Sequence, residues 1–118
     1  MGGLLVRVVN QTKQAVIGHS IKVADNFFTR LVGLLATKRL RPGEGLMITP
    51  CSSIHTLGMR FPIDVLFVDA SHNVLKVIEG IAPGRLAAAA KAAYVIELPQ
   101  GTAAATSTQA GDKLLLDA

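Results

Sequence analysis

Most of this chain is a succession of short strand signals separated by turns, and only one segment has a clear helical period. The apolar residues of 26–37 recur at i, i+1, i+4, i+7 and i+8, which is one stripe of a helix with about 3.6 residues per turn. Runs of β-branched and aliphatic residues lie on both sides of it, with Gly, Pro, Asn and Asp between them. These strand signals cover residues 4–9, 15–23, 45–49, 61–69, 74–79, 94–98 and 113–117.

This order of elements lacks the regular alternation of strand and helix that builds parallel sheets. It predicts an α+β fold, with a mainly antiparallel sheet or small barrel and one amphipathic helix packed on it. The 118 residues fit one domain, 1–118. Two segments are ambiguous. The alanines of 86–93 favour a helix by propensity, although a strand must begin near Ala92, and 101–109 could form a short helix.

Composition excludes several classes of protein. Half of the residues are hydrophobic and 17% are charged, which excludes a disordered chain. A single cysteine excludes an internal disulfide and any site with several thiolates. No apolar run reaches the roughly 18 residues of a membrane span, and no signal peptide is recognisable. These features predict a cytoplasmic protein, although a processed fragment has the same appearance.

The positive charges say little about partners. The net charge is 12 − 8 = +4, and four of the cations lie together, at Arg30, Lys38, Arg39 and Arg41. A basic patch is typical of nucleic-acid binding, but here it has no interleaved aromatics and no recognised motif. The pattern therefore argues against a nucleic-acid partner and favours a solvated helix end, where cations offset the helix dipole.

Segment 51–64 carries the residue types that chemistry requires. Cys51 could act as a thiolate nucleophile, His55 could accept its proton, and Asp64 could fix the imidazole tautomer. Pro50 and Gly58 indicate a loop, in which spacing does not establish contact. The competing interpretation is a buried structural thiol beside a hydrogen-bonding histidine. The same three side chains lack the spacing of known zinc motifs, so no metal or cofactor is predicted.

Asp64 is the residue that most needs an explanation, because it interrupts the strongest strand signal of the chain. Alternation places it on the same face as Leu66 and Val68, where a buried carboxylate must find donors or shift its pKa upward. The sequence predicts that Asp64 pins segment 51–60, and the alternative is a carboxylate at the floor of a pocket. The expected donors are the amides of that segment, the hydroxyls of Ser52, Ser53 and Thr56 and, at a longer distance, Arg60.

The remaining titratable residues lie at predicted strand ends or turns. Glu79, Glu97 and Asp112 are expected to be exposed there, and His19 and His72 are expected at the surface. Carboxylates act as a general acid–base pair only where two converge in space, which sequence does not show.

Several of these residues form a pattern that resembles the DUF192 family of small bacterial and archaeal proteins. The resemblance covers about residues 20–117. It is carried by Arg30-Leu31-Val32-Gly33-Leu34-Leu35, with Leu35 where the family has Met, by Gly45-Leu46-Met47-Ile48, by Ile54-His55-Thr56 with Met59-Arg60 and Pro62-Ile63-Asp64-Val65, by Tyr94-Val95-Ile96-Glu97-Leu98 with Gly101, and by Gly111-Asp112.

The resemblance implies a compact, mainly β domain with one helix on the sheet, but it supplies no activity. Two hypotheses remain. The first is a binding or accessory module that recognises a small ligand or a partner protein through segment 51–64; the second is a small enzyme that uses His55 and Asp64, with or without Cys51. The oligomeric state is not predicted. The residues expected to bind are Ser53, His55, Thr56, Met59, Arg60 and Asp64.

Overall fold

Strands are the main regular elements of the described residues. The structure is a computed structural model and describes residues 4–25 and 40–117. Within those residues there are nine strands and one short helix, α1. They are β1 Leu5–Asn10, β2 Ala15–Ala24, β3 Glu44–Ile48, β4 Ser53–His55, β5 Ile63–Val68, β6 Val74–Ile81, β7 Leu86–Ala88, β8 Tyr94–Pro99, α1 Thr102–Ala105 and β9 Leu114–Asp117.

Seven of these strands form one sheet in the order β6-β5-β8-β3-β2-β1-β9. Only β2 and β3 run parallel; the other neighbours in this sheet are antiparallel. The sheet curls until its two ends meet. Two hydrogen bonds join them: the Val74 amide donates to the Asp112 carbonyl at 2.8 Å, and the Leu114 amide donates to the His72 carbonyl at 2.9 Å. The result is a half-barrel whose edges touch at one end.

The sheet is buried on both faces at β5, and this strand is apolar on both sides except for Asp64. Leu66 and Val68 belong to an inner core within the curl, which also includes residues of β1, β2 and β9. Val65 and Phe67 belong to an outer core on the opposite face, with Leu46 and residues of β6 and β8. All six residues of β5 are buried, which explains why its sequence has no polar face.

A second, two-stranded sheet lies against the outer core. β4 and β7 pair antiparallel, with Ser53 opposite Ala88, Ile54 opposite Ala87 and His55 opposite Leu86. Ile54 and Ala87 pack on the outer core, which leaves the other side chains of this ribbon on its outward face. We call β4 and β7 together the ribbon.

The predicted α+β class agrees with this architecture at the level of a mostly β fold with a short helix, and the hairpin predicted at 70–73 is confirmed by the pairing of β5 with β6. The ambiguous segment 86–93 begins with a strand, and the short helix expected within 101–109 is confirmed at Thr102–Ala105. The predicted helix at 26–37 lies outside the described residues.

Candidate functional site

Segment 51–61 crosses the outer face of the main sheet. The Cys51 amide donates to the Ala93 carbonyl at 3.0 Å, which attaches the start of the segment to the residues before β8. Ile54, Met59 and Phe61 are half-buried against the outer core. The segment is therefore part of the hydrophobic packing of the molecule, and only some of its side chains are available to a ligand.

Thr56 fixes the middle of this segment to the turn that precedes β7. Its hydroxyl donates to the Ala82 carbonyl at 2.7 Å and accepts from the Arg85 amide at 2.8 Å. Its backbone amide donates to the Arg85 carbonyl, and its carbonyl accepts from the Gly84 amide. Thr56 is buried, so this predicted binding residue has a structural role in the described residues.

Thr56→Val tests that role. Valine keeps the shape but loses both hydroxyl hydrogen bonds, which leaves the part-buried Arg85 amide and Ala82 carbonyl without this partner. We expect the free energy of unfolding to fall by about 2 kcal/mol. Urea denaturation measures the loss, and Ser53→Ala, at an exposed position of the same segment, serves as the control. An equal effect of the two substitutions contradicts the structural role.

Asp64 is completely buried, and its carboxylate accepts three backbone hydrogen bonds. Oδ1 accepts from the Gly80 amide at 2.8 Å, and Oδ2 accepts from the Gly101 and Ala103 amides at 3.1 and 2.9 Å. Asp64 thus joins the end of β6 to the first turn of α1. The predicted donors were wrong: the amides come from segments 16 to 39 residues away and not from segment 51–60, its hydroxyls or Arg60.

The outward face of the ribbon is one of the accessible parts of segment 51–64. His55 and Ser53 are exposed there, and Leu86, directly opposite His55, is 79% exposed. Together with Ile54, Ala87 and Ala88, these residues line a groove of about 520 Å³. The groove therefore combines the His55 imidazole and the Ser53 hydroxyl with apolar surface.

Cys51 is half-buried and packs against the outer core, so its thiol is less enclosed than a buried structural thiol. Its Sγ donates to the Ser53 carbonyl at 3.1 Å. The side chain borders a second groove of about 490 Å³, formed with Pro50, Ser52, Ser53, Ala92 and Ala93. The thiol thus lies at the entry to the ribbon, next to a surface recess.

The structure does not bring His55 and Asp64 together. Asp64 is enclosed within the main sheet, and both of its oxygens are engaged by amides, whereas His55 projects from the ribbon. In the described part of the chain, no three His, Cys, Asp or Glu side chains converge as metal ligands. Of the other predicted binding residues, Met59 is half-buried and Arg60 is exposed.

Glu97 is the functional candidate that sequence reasoning missed. It was expected at an exposed strand end, but it lies inside β8 and is only 5% exposed. Burial raises the pKa of its carboxyl to about 7. The signal was present in Tyr94-Val95-Ile96-Glu97-Leu98, where alternation puts Glu97 on the same face as Val95. That face is the outer core.

Asp112, also expected to be exposed, is buried and belongs to a different region. Its carboxylate accepts from the Asn10 side chain at 2.8 Å and from the Lys13 ammonium at 2.9 Å. Burial opposes ionisation, but these bonds hold the pKa of Asp112 below its ordinary value. The network ties the β1–β2 hairpin to the residues before β9, and it leaves Asp112 no role in the ribbon.

Two of the remaining predictions are tested only in part by the described residues. His19 is exposed, as expected, whereas His72 is half-buried with its Nδ1 at 2.8 Å from the Tyr94 hydroxyl. Arg41 is exposed, but Arg30, Lys38 and Arg39 lie outside the described residues.

Within the described residues, 4–25 and 40–117, no helix has the length and apolar character needed to cross a bilayer.

Comparison with known proteins agrees with the resemblance seen in the sequence. The DUF192 family model, described as Uncharacterized ACR, matches residues 7–116. The chain belongs to the DUF192 family. The match extends the resemblance seen from residue 20 back into β1. Among relatives, a UPF0127 protein of Pyrococcus abyssi is 32% identical over 114 residues, which cover 91% of this chain and 94% of that protein. A UPF0127 protein of Pyrococcus horikoshii is also 32% identical, with 91% and 96% covered.

Solved structures show the same fold. A protein of unknown function from Novosphingobium aromaticivorans has a TM-score of 0.81 at 21% identity, with 95% of this chain and 84% of that chain covered. A putative transcription regulator from Sinorhizobium meliloti has a TM-score of 0.80 at 21% identity, with 94% and 91% covered. At this identity the likeness shows the fold alone, and function must be argued from sites.

Proposed function

We propose that this DUF192 protein is a binding module that recognises a small, partly apolar anionic ligand on the outward face of the ribbon. The observation that carries the proposal is the exposed Leu86 directly opposite the exposed His55, in a groove of about 520 Å³. Grooves of roughly 300–1,000 Å³ that combine apolar walls with a few polar groups are typical of small-molecule sites. That size favours a small ligand over a partner protein.

The charges around the groove favour an anionic group on the ligand. None of the six residues that line it is acidic. The Lys76 ammonium reaches the Ala88 carbonyl at 3.2 Å, which places a cation beside β7. His55 and Ser53 offer hydrogen-bond donors to a carboxylate, and Leu86 and Ala88 offer contact to an alkyl chain.

The alternative function, an enzyme that uses His55 and Asp64, receives no support from the positions of the two side chains. A catalytic base must be within hydrogen-bond reach of its partner or substrate. Both oxygens of Asp64 are engaged by amides inside the sheet, whereas His55 is exposed on the ribbon. A cytoplasmic location is part of this proposal and rests on the sequence alone.

Titration with octanoate, followed by amide chemical shifts in NMR, tests the proposed site. We expect saturable shifts at 53–55 and 86–88. Leu86→Ser is expected to weaken binding at least tenfold, because burial of a leucine side chain is worth about 1.5–3 kcal/mol and tenfold corresponds to about 1.4 kcal/mol. Leu115→Ser, which changes a leucine 47% exposed on β9, is the matched control and should bind as wild type does.

Two outcomes overturn the proposal. One is the absence of saturable shifts at the ribbon, including the case in which octanoate perturbs another surface. The other is equal octanoate affinity in wild type and Leu86→Ser. His55→Gln separates the polar contribution from the apolar one, with a smaller loss of affinity expected than for Leu86→Ser.

A further inference from the structure

Among the buried carboxylates of the described residues, Asp64, Glu97 and Asp112, only Glu97 has no donor. Asp64 accepts three amides, Asp112 accepts Asn10 and Lys13, and Asp69 accepts the amides of its own turn. Glu97 is 5% exposed, yet no described residue donates a hydrogen bond to its carboxylate. Buried polar groups are nearly always paired, so this carboxylate requires a partner from outside the described residues.

The carboxylate of Glu97 is not fully enclosed. Within residues 4–25 and 40–117, no side-chain oxygen is both fully enclosed and unbonded. Because neither oxygen of Glu97 has a hydrogen bond there, both must reach accessible space. A water-sized group can therefore reach them.

The surroundings of Glu97 are apolar. It stands in register with Leu46 on β3 and with Val65 on β5, and Val95 precedes it on the same face of β8. The three neighbours belong to the outer core, the face that segment 51–61 crosses. The nearest ionisable groups in register on that face are Lys22 and Glu44. Lys22 stands opposite Leu46 on β2, and Glu44 lies two residues before Leu46 on β3.

We propose that Glu97 is the anionic group of an internal binding site for the ammonium or guanidinium group of a small basic ligand. Such a cation supplies both the opposite charge and the N–H donors that the carboxylate lacks, and charge-assisted hydrogen bonds of this kind are strong in apolar surroundings. The apolar neighbours suit a short alkyl chain. No cluster of three metal-binding side chains exists in the described residues, so a single carboxylate fits an organic cation better than a metal ion.

The site is distinct from the ribbon groove, which takes an anion, so the two proposals stand or fail separately. The test is a titration of the full chain with n-butylammonium chloride at pH 8, observed at the side-chain carboxyl carbon of Glu97 and the methyl groups of Leu46 and Val65. We expect a saturable shift of all three. Sodium chloride and n-butanol at the same concentrations control for ionic strength and for the alkyl chain.

Glu97→Gln is expected to weaken butylammonium binding at least tenfold, since glutamine keeps the shape and loses the charge. Glu79→Gln, which changes an exposed glutamate of β6, is the matched control and should leave the affinity unchanged. The proposal is overturned if the carboxyl carbon of wild-type Glu97 shows no saturable shift, if n-butanol binds equally well, or if Glu97→Gln binds as wild type does. The wild-type measurement decides the question even if the variant fails to fold.

Discussion

Asp64→Asn is expected to lower the free energy of unfolding by about 3 kcal/mol. Hydrogen bonds to a charged group contribute about 1.5–3 kcal/mol each, and a buried donor without a partner costs about 1–3 kcal/mol. Asparagine offers one acceptor oxygen and one NH₂ group where aspartate has two acceptors. In either orientation its NH₂ group faces at least one amide of Gly80, Gly101 or Ala103, all of which now donate to Asp64.

Urea denaturation at neutral pH measures this loss. Asp117→Asn is the control, because Asp117 is an exposed acceptor of a 3.3 Å ion pair with Arg7 and such pairs contribute at most about 1 kcal/mol. A melting temperature of Asp64→Asn equal to or above that of wild type contradicts a stabilising role for the bonds of Asp64 to Gly80, Gly101 and Ala103. It also favours a carboxylate held for function at the expense of stability.

The burial of Asp64 could be predicted from the sequence, but its partners could not. Alternation along β5 is a local property, and it correctly put the carboxylate among buried residues. Its donors depend on two distant turns, where Gly80 has φ +62° and Gly101 has φ +97°. These are backbone conformations that residues other than glycine rarely adopt, and they set the direction of the two amides. The residues near position 64 do not predict the conformation of either turn.

The ribbon is the part of the candidate site that the sequence did not predict. The alanines after Leu86 favour a helix by local propensity. Instead Leu86–Ala88 pairs with Ser53–His55, more than thirty positions away, and Ala87 packs on the outer core. Long-range pairing outweighed propensity here, as is common for strands, and so His55 and Leu86 could not be matched in advance.

The pH dependence of stability is expected to identify Glu97. Its carboxyl has a pKa of about 7 in the folded protein, raised by burial, against an ordinary value of 4.5. Below pH 4.5 both states bind the proton and the residue has no effect on stability. Between pH 4.5 and 7 the folded state holds a proton that the unfolded state has released. Stability therefore falls as pH rises through this window, and above pH 7 the loss is complete.

The magnitude follows from the size of the shift. Each pKa unit corresponds to about 1.4 kcal/mol, so Glu97 is expected to lower the free energy of unfolding by at most about 3 kcal/mol between pH 4 and pH 8. Glu97→Gln is neutral throughout and should lack this decline. The variant is expected to match wild type near pH 4 and to exceed it by up to about 3 kcal/mol at pH 8.

Urea denaturation of wild type and Glu97→Gln at several pH values from 4 to 8 gives the difference directly. Groups that titrate in both proteins, such as Asp112 with its lowered pKa, cancel in that difference. Glu79→Gln should follow the wild-type curve, because its glutamate is exposed. A difference between wild type and Glu97→Gln that stays constant over this range shows that Glu97 releases its proton at the ordinary pKa. In that case burial imposes no cost on its charge, and a donor within the protein already satisfies the carboxylate.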